Sequence, residues 1–204
     1  MKYLVIGGVA GGATAAARLR RMDENADIIL FERGKYVSYA NCGLPYYIGE
    51  VIAERDKLFV QTVEGFTARF NIDIRPEQEV TAIHPKDKTV EVKNLGTGQT
   101  YTESYDKLIL SPGAEPLRPG IEGINSKKIF TLRNVPDTDT IKNYVDQNKP
   151  RHAVVVGGGF IGLEMAENLY DLGINIAVVE MANQVMAPFD YSMAAIVHQQ
   201  LIDK

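Results

Sequence analysis

One local pattern occurs twice in this sequence, and it constrains the fold more than any other feature. Each copy is a short apolar run, a glycine-rich turn, a segment of small and helix-forming residues, and a second apolar run that ends in glutamate. The copies occupy residues 2–32 and 151–180. A strand, a tight turn, a helix and a parallel strand in this order form a βαβ unit. Two copies predict an α/β protein built from two Rossmann-like units.

The glycine turns predict that each copy binds a dinucleotide. In the second copy, Gly157, Gly159 and Gly162 fit the spacing G-x-G-x-x-G, whereas the first copy keeps Gly7 and Gly12 but has valine in the middle position. Glycine lets the backbone approach a pyrophosphate, which the free N–H groups and the dipole of the following helix then hold. One such turn is weak evidence, but two in the same strand-turn-helix context favour nucleotide binding.

The glutamates that end the second strands, Glu32 and Glu180, refine this prediction. An acid at this place accepts hydrogen bonds from ribose hydroxyls. It would repel the 2′-phosphate of NADPH, and residues 181–187 contain no lysine or arginine to receive that phosphate. The second copy is therefore expected to prefer NADH to NADPH.

The sequence between the copies has a different period. Residues 77–104 alternate between apolar and polar, with turn residues at PKDK and GTGQ, which predicts an insertion of two or three antiparallel strands. The run KLIL then predicts a buried strand that returns to the parallel sheet. A helix is expected from Asp137, its predicted cap. These limits predict a first domain at 1–113, a linker with its helix at 114–150, and a second domain at 151–204.

Composition narrows the class of partner. The net charge of −4 gives no support for nucleic-acid binding, and His84, His152 and His198 have no metal-ligand spacing, so we expect no metal site. Glycines interrupt the apolar N-terminal run, and the arginines follow this run instead of preceding it. This arrangement favours a strand and helix over a signal peptide. No run reaches the length of a membrane span. A cytoplasmic protein with no membrane partner is expected.

Cys42 is the only cysteine of the chain, and its neighbours allow two interpretations. A free cysteine is often a small buried apolar residue. However, Gly43 and Pro45 predict a helix that begins directly after Cys42, and a helix N-terminus favours a thiolate. The residues alone leave both interpretations open.

Six motifs, in order along the chain, resemble those of the flavin-dependent pyridine nucleotide–disulfide oxidoreductases. They are VIGGVAGG, FERG, SYANCGLPYYIGE, YDKLILSPGAEP, TLRNVPDTD and VVVGGGFIGLEMAENL. The sequence is most similar to the coenzyme A-disulfide reductase branch, which includes NADH-dependent persulfide reductases. The resemblance implies FAD in the first unit, NAD(P)H in the second, and an enzyme that uses both.

The resemblance also implies the residues that bind these cofactors. In the first unit and the cysteine loop they are Gly7, Ala10, Gly11, Gly12, Glu32, Arg33, Asn41, Val80, Ser111, Pro112 and Gly113. In the linker and the second unit they are Arg133, Gly157, Gly159, Phe160, Ile161, Gly162, Glu164 and Glu180. Phe160 would cover the flavin until nicotinamide displaces it.

In this family Cys42, within the pattern S-x-x-N-C, would be the catalytic redox cysteine. Many relatives carry a second cysteine five residues away, but here Val37 and Tyr47 stand at those places. Cys42 would therefore form its disulfide with a small molecule, namely coenzyme A, from coenzyme A disulfide or a coenzyme A persulfide or polysulfide. The implied substrate contacts are Thr14, Arg18, Arg21, Ser38 and Asn41.

Two alternatives remain. NADH oxidases and peroxidases of this family cycle a single cysteine as a sulfenate, but they carry a histidine where this chain has Ala10. The chain could also bind nucleotide without turnover, because the family normally continues into a C-terminal domain that forms a homodimer.

Overall fold

A computed structural model describes residues 1–203 of the chain. These residues form two compact units that are not continuous in sequence. The first unit contains residues 1–41 and 59–115, and the second contains residues 42–58 together with the residues from 116 onward. The compact units group residues by contacts in space and not by sequence order, so they do not test the predicted domain limits. The limits of 1–113, 114–150 and 151–204 remain a prediction.

The secondary structure alternates as the duplicated pattern predicts. In chain order the elements are β1 (Lys2–Ile6), α1 (Ala10–Met22), β2 (Asp27–Glu32), α2 (Leu44–Ile48), α3 (Val63–Phe70), β3 (Asp73–Pro76), β4 (Gln78–His84), β5 (Thr89–Asn94), β6 (Thr100–Ser104), β7 (Lys107–Leu110), α4 (Val135–Asn148), β8 (His152–Val156), α5 (Phe160–Asp171), β9 (Asn175–Val179) and α6 (Tyr191–Ile202). Among these helices, none is both long enough and apolar enough to cross a membrane.

The first unit is built on a parallel sheet with strand order β3-β2-β1-β7. Helix α1 covers one face, where Ala13 and Ala16 pack against Val5 and Leu30. The small side chains of α1 let the helix approach the strands closely. The parallel sheet and the return of KLIL to it as β7 are thereby confirmed. The predicted burial of this strand is wrong, since β7 is the edge strand of the sheet and Leu110 is 58% exposed.

The other face of this sheet is covered by the antiparallel sheet β4-β5-β6, which confirms the predicted insertion. Val90 and Val92 are fully buried against Leu4 and Phe31, because alternate residues of a strand point to one face. The two faces of the parallel sheet therefore have separate cores, one under α1 and one under the antiparallel strands.

The second unit repeats the βαβ arrangement in a shorter form. Strands β8 and β9 pair in parallel, and α5 packs on one face, with Met165 and Leu169 in a core that also contains Ile48. The opposite face is apolar and open, since Val154 is 64% exposed and Val179 53% exposed. In the first unit, antiparallel strands cover the corresponding face.

The predicted cap of α4 is wrong. The N-cap is Asn134, whose Oδ1 accepts a hydrogen bond from the backbone N–H of Asp137 at 3.0 Å. The carboxylate of Asp137 accepts instead from the backbone N–H of Arg133 at 2.9 Å. The two side chains thus satisfy backbone donors in opposite directions across the first turn, as in a capping box.

Candidate functional site

The first glycine turn joins β1 to α1 and is shaped by close backbone packing. Gly7 has φ +95°, and a Cβ at this position would overlap with the carbonyl oxygen of Ser111. A Cβ at Gly12 would likewise overlap with the carbonyl oxygen of Gly7. The N-cap of α1, Val9, provides no side-chain hydrogen bond to the first turn. The backbone N–H groups in the first turn of α1 are therefore suited to an external acceptor such as a phosphate.

The second glycine turn joins β8 to α5 in the same way. Gly157 has φ +105°, and a Cβ at Gly162 would overlap with the carbonyl oxygen of Gly157. Helix α5 begins at Phe160, and its N-cap Gly159 offers no side-chain cap. Both turns thus combine a close backbone approach with a helix N-terminus that lacks a side-chain cap.

The two acids bind the backbone of their own unit. Glu32 accepts hydrogen bonds from the backbone N–H groups of Gly8 and Gly34, both at 2.7 Å. In the second unit Glu180 accepts from Ala182 at 2.7 Å and from Gly158 at 2.6 Å. The hydrogen bonds from Ala182 and Gly158 hold the pKa of Glu180 below its ordinary value. Each acid is therefore held beside its glycine turn by two backbone hydrogen bonds.

The sequence analysis missed the role of Gly8 and Gly158 and the full length of the repeat. The residue six positions after each acid, Ser38 or Met186, donates its N–H to the carbonyl oxygen of Gly8 or Gly158, at 2.9 and 2.7 Å. Both residues have a left-handed backbone, with φ 48° and 52°. The sequence signal for this role was the pair of adjacent glycines in each copy, Gly7–Gly8 and Gly157–Gly158. The duplicated device thus extends to residue 38 in one copy and 186 in the other.

The remaining predicted FAD residues lie on several elements of the first unit. Ser111 follows β7 and donates its N–H to Ile6 at 2.8 Å, which places it beside Gly7 and Gly11. Pro112 and Gly113 follow it, Ala10 begins α1, and Val80 lies on β4. Arg33 forms an ion pair with Glu115. The structure therefore brings Gly7, Gly11, Gly12 and Ser111 together, with Glu32 on the adjacent strand.

Cys42 lies in a 3₁₀ turn, Asn41–Gly43, directly before α2. Pro45 is in the first turn of this helix, as predicted. Cys42 is an exposed residue, so it is not the buried apolar cysteine of the first interpretation. The Oδ1 atom of the preceding Asn41 is buried and has no hydrogen-bond partner among the described residues. A buried acceptor without a donor usually indicates a missing ligand or water.

Helix α1 presents three of the predicted substrate contacts on one exposed face. Thr14, Arg18 and Arg21 are spaced by four and three residues and are all exposed. No ion pair is present for either arginine within residues 1–203. By contrast, the neighbouring Arg20 is bound to the backbone carbonyl of Phe70 at 2.9 Å. Arg18 and Arg21 are therefore available for an anionic ligand.

In the second unit the predicted residues surround the start of α5. Phe160 is 56% exposed and Ile161 58% exposed, and the ring of Phe160 packs edge-on against Phe189 at 5.7 Å. A cavity of about 970 Å³ lies beside this helix, and Phe160, Glu164 and Glu180 line it. Arg133, in contrast, lies before α4 and contacts Asp137 through its backbone.

Comparisons with known proteins agree with this arrangement. The family model described as pyridine nucleotide-disulphide oxidoreductase matches residues 1–204. The chain is 42% identical over 200 residues to a coenzyme A disulfide reductase of Staphylococcus haemolyticus, covering 98% of this chain and 45% of that protein. It is 62% identical to the reduced CoADR-RHD structure of Bacillus anthracis, with a TM-score of 0.95, covering 99% of this chain and 36% of that one.

A structure described as a NAD-dependent persulfide reductase from A. fulgidus is also similar. Its identity is 38% and its TM-score 0.93, over 100% of this chain and 38% of that one. The chain spans about half the length of the curated relatives it matches, 45% in each of the first comparisons.

Proposed function

Because the chain belongs to the pyridine nucleotide-disulphide oxidoreductase family, we propose that it is part of an FAD-dependent reductase of coenzyme A disulfide or coenzyme A persulfide. The observation that carries this proposal is the exposed Cys42, the only cysteine of the chain, directly before a short helix. Residues 1–204 contain no second cysteine to pair with Cys42, which supports disulfide exchange with a diffusible thiol compound.

The residues of the first unit fit FAD. The compact glycine turn requires glycine at positions 7 and 12, because a Cβ at either position would overlap with a backbone carbonyl oxygen. Glu32, Arg33, Val80, Ser111, Pro112, Gly113 and Ala10 are the proposed neighbours of the cofactor. The unpartnered acceptor of Asn41 supports a ligand beside Cys42. FAD, when bound, supplies a carrier that takes two electrons from a nicotinamide and passes them to sulfur.

The residues of the second unit fit NADH better than NADPH. Glu180 is held as a carboxylate, and a 2′-phosphate next to it would meet a fixed negative charge. Gly157, Gly159 and Gly162 would hold the pyrophosphate, and Phe160 and Glu164 line the same side of α5. Phe160 is 56% exposed, which supports its proposed displacement when nicotinamide binds.

Cys42 would carry the sulfur chemistry. Its thiolate attacks one sulfur of coenzyme A disulfide, which forms a Cys42–S–S–CoA bond and releases the first coenzyme A thiolate. Two electrons from NADH and one proton then cleave that bond, which restores the Cys42 thiolate and releases the second coenzyme A thiol. NADH supplies both the two electrons and that proton, and one further proton from solvent converts the first coenzyme A thiolate to a thiol, so that one NADH, one proton and one disulfide give NAD⁺ and two thiols.

Coenzyme A carries phosphates, and the exposed face of α1 offers cations for them. Arg18 and Arg21 have no acidic partner among the described residues, and Thr14 lies on the same face. Ser38 and Asn41 would complete the site from the cysteine loop. An ordinary solvated charged face also carries exposed, unpaired arginines, so substitution distinguishes the two explanations. The proposal predicts that alanine at both arginines raises the KM for coenzyme A disulfide and leaves the KM for NADH unchanged.

The alternative function is NADH oxidation by oxygen or peroxide with Cys42 as a sulfenate. An imidazole in the first glycine turn would assist that oxygen chemistry, and this chain has Ala10 there. This substitution favours the disulfide substrate. The other alternative, nucleotide binding without turnover, would apply to the 204-residue chain alone, because the proposed homodimer would need the rest of the longer protein.

The proposal is tested by NADH-dependent reduction of coenzyme A disulfide in the longer protein, with Cys42→Ser as the matched variant. We expect turnover in the wild-type protein and its loss in Cys42→Ser, with FAD still bound. Equal turnover in both proteins, or NADH consumption that requires only oxygen, would overturn the proposal.

A further inference from the structure

We infer that Asn168 is a positioning residue for Cys42, which it acts on through its contact with Gly49 at the end of α2. The inference rests on the proposed role of Cys42 as the redox cysteine. It concerns contacts within the second unit only, since residues 42–58 belong to that unit with α4 and α5.

Helix α2 is a short rigid link between Cys42 and Gly49. Only the five residues Leu44–Ile48 are helical, and Leu44, Pro45 and Ile48 are all buried. Ile48 is fully buried in the core formed by α5 and α4, next to Met165 and Leu169. A displacement at the end of this helix therefore reaches Cys42 with little chain to absorb it.

Gly49 is in closer contact with Asn168 than any other residue type would allow. A Cβ at Gly49 would stand 2.7 Å from Cβ and 2.8 Å from Cγ of Asn168, and still nearer to its Oδ1. The backbone of Gly49 has φ −78°, which every residue type can adopt. Glycine is therefore required here by the approach of Asn168 and not by the backbone conformation.

Asn168 is fixed in place and nearly inaccessible. It is 2% exposed, one of only two polar residues with this degree of burial among the described residues. Its Nδ2 donates a hydrogen bond to the backbone carbonyl of Glu164 at 2.8 Å, which holds the amide in one orientation. A buried amide is costly unless its groups are satisfied, so simple packing between the two helices would be served better by an apolar side chain.

Two further contacts hold the rest of the segment to α4. The guanidinium of Arg55 donates to both carboxylate oxygens of Asp139, at 2.8 and 2.7 Å. Lys142 donates to Glu50 at 3.1 Å. The Gly49–Asn168 contact and the packing of Ile48 on Met165 and Leu169 join the segment to α5, the helix that also carries Phe160 and Glu164. Asn168 thus couples the position of Cys42 to the helix that lines the proposed NADH site.

The experiment measures how fast iodoacetamide alkylates Cys42 in the FAD-loaded protein, by mass spectrometry, in Gly49→Ala and in the control Gly120→Ala. A Cβ at Gly120 meets nothing within 4 Å, and Gly120 lies in the same unit. We expect the alkylation rate to change by about tenfold in Gly49→Ala, since a displaced α2 would alter the surroundings of Cys42 that control the reactivity of its thiol. Gly120→Ala is expected to match the wild-type protein.

The rescue variant is Gly49→Ala combined with Asn168→Gly, compared with Asn168→Gly alone. Removing the side chain of Asn168 makes room for the new methyl group, so the double variant should alkylate at the rate of Asn168→Gly. The inference would be overturned if Gly49→Ala alkylates at the wild-type rate. It would also be overturned if the double variant alkylates at a rate different from that of Asn168→Gly alone.

Asn168→Ala keeps the test possible if Gly49→Ala does not fold. It removes the amide and leaves Gly49 intact, and we expect faster alkylation of Cys42 with the FAD content unchanged. An alkylation rate equal to that of the wild-type protein would overturn the inference. These outcomes do not depend on turnover, so a failure to reduce coenzyme A disulfide would reject the proposed function alone.

Discussion

Alanine substitutions at the first glycine of each turn should have unequal effects, although the two turns are copies of one device. Gly7 and Gly157 both have left-handed backbones, with φ +95° and +105°. A side chain in this conformation costs about 1 kcal/mol, and this cost is similar in both copies. The copies differ in their surroundings. A Cβ at Gly7 stands 2.8 Å from the carbonyl carbon of Ser111 and overlaps its oxygen, whereas a Cβ at Gly157 meets nothing within 4 Å.

The overlap adds a second cost at Gly7 alone. Forcing atoms into a packed region costs about 1–3 kcal/mol, so Gly7→Ala should destabilise its unit by about 2–4 kcal/mol and Gly157→Ala by about 1 kcal/mol. Because hydrogen exchange reports the stability of each region separately, the assay is hydrogen exchange of the β1 and β8 backbone amides in the nucleotide-free 204-residue chain.

A suitable control for both variants is Gly96→Ala, in the turn between β5 and β6, where a Cβ has only one ordinary contact at 3.4 Å. It should leave β1 and β8 protection unchanged. Equal losses of protection in Gly7→Ala and Gly157→Ala, each in its own unit, would refute the reasoning that Ser111 excludes a side chain at Gly7.

Three further substitutions test other parts of the structure. Burial opposes the charge of Glu103, but hydrogen bonds from Lys2 and Arg75 outweigh it and lower its pKa. Glu103→Gln should therefore cost about 2 kcal/mol at neutral pH. In urea unfolding followed across pH, this difference should be complete above pH ~5 and disappear as the pH falls through the lowered pKa; a pH-independent difference would contradict it. Asn134→Ala should cost about 1 kcal/mol in the same assay, and a larger loss in Asp137→Ala would return the cap to the residue expected from sequence. Glu180→Gln should weaken NADH binding by about tenfold in calorimetric titration, as expected for one charged hydrogen bond, and weaken NADPH binding less.

The parts of the fold that sequence predicted are those with strong local signals. Strand β2 ends at Glu32, as the duplicated pattern predicts, because the second apolar run stops at this acid. The antiparallel strands were predicted from their period of two. In contrast, helix α3 and strand β3 were not predicted, since they lie in a segment with neither a glycine turn nor clear alternation.

The error at the cap of α4 has a local cause. Pro136 is in the first turn of the helix, where proline is favoured, so Asn134 is the residue in capping position. The sequence analysis started the helix one residue after this proline and assigned the cap to Asp137. The sequence contained the signal for the correct cap, but Asn134 and Asp137 are both residue types that cap helices.

The packing of residues 42–58 against α4 and α5 could not be predicted from sequence. The contacts of Gly49 with Asn168 and of Arg55 with Asp139 join residues far apart in the chain. Neither pair has a local pattern, and glycine at position 49 has no special backbone angle to indicate its role. The predicted roles of the site residues remain predictions.

The central claim is that Cys42 takes its disulfide partner from coenzyme A, and intact mass spectrometry under non-reducing conditions tests it most directly. After incubation with coenzyme A disulfide, the protein should gain one adduct of coenzyme A mass, which a thiol reductant removes and which Cys42→Ser lacks. Only an oxygen adduct on Cys42, or a coenzyme A adduct that persists in Cys42→Ser, would contradict the claim.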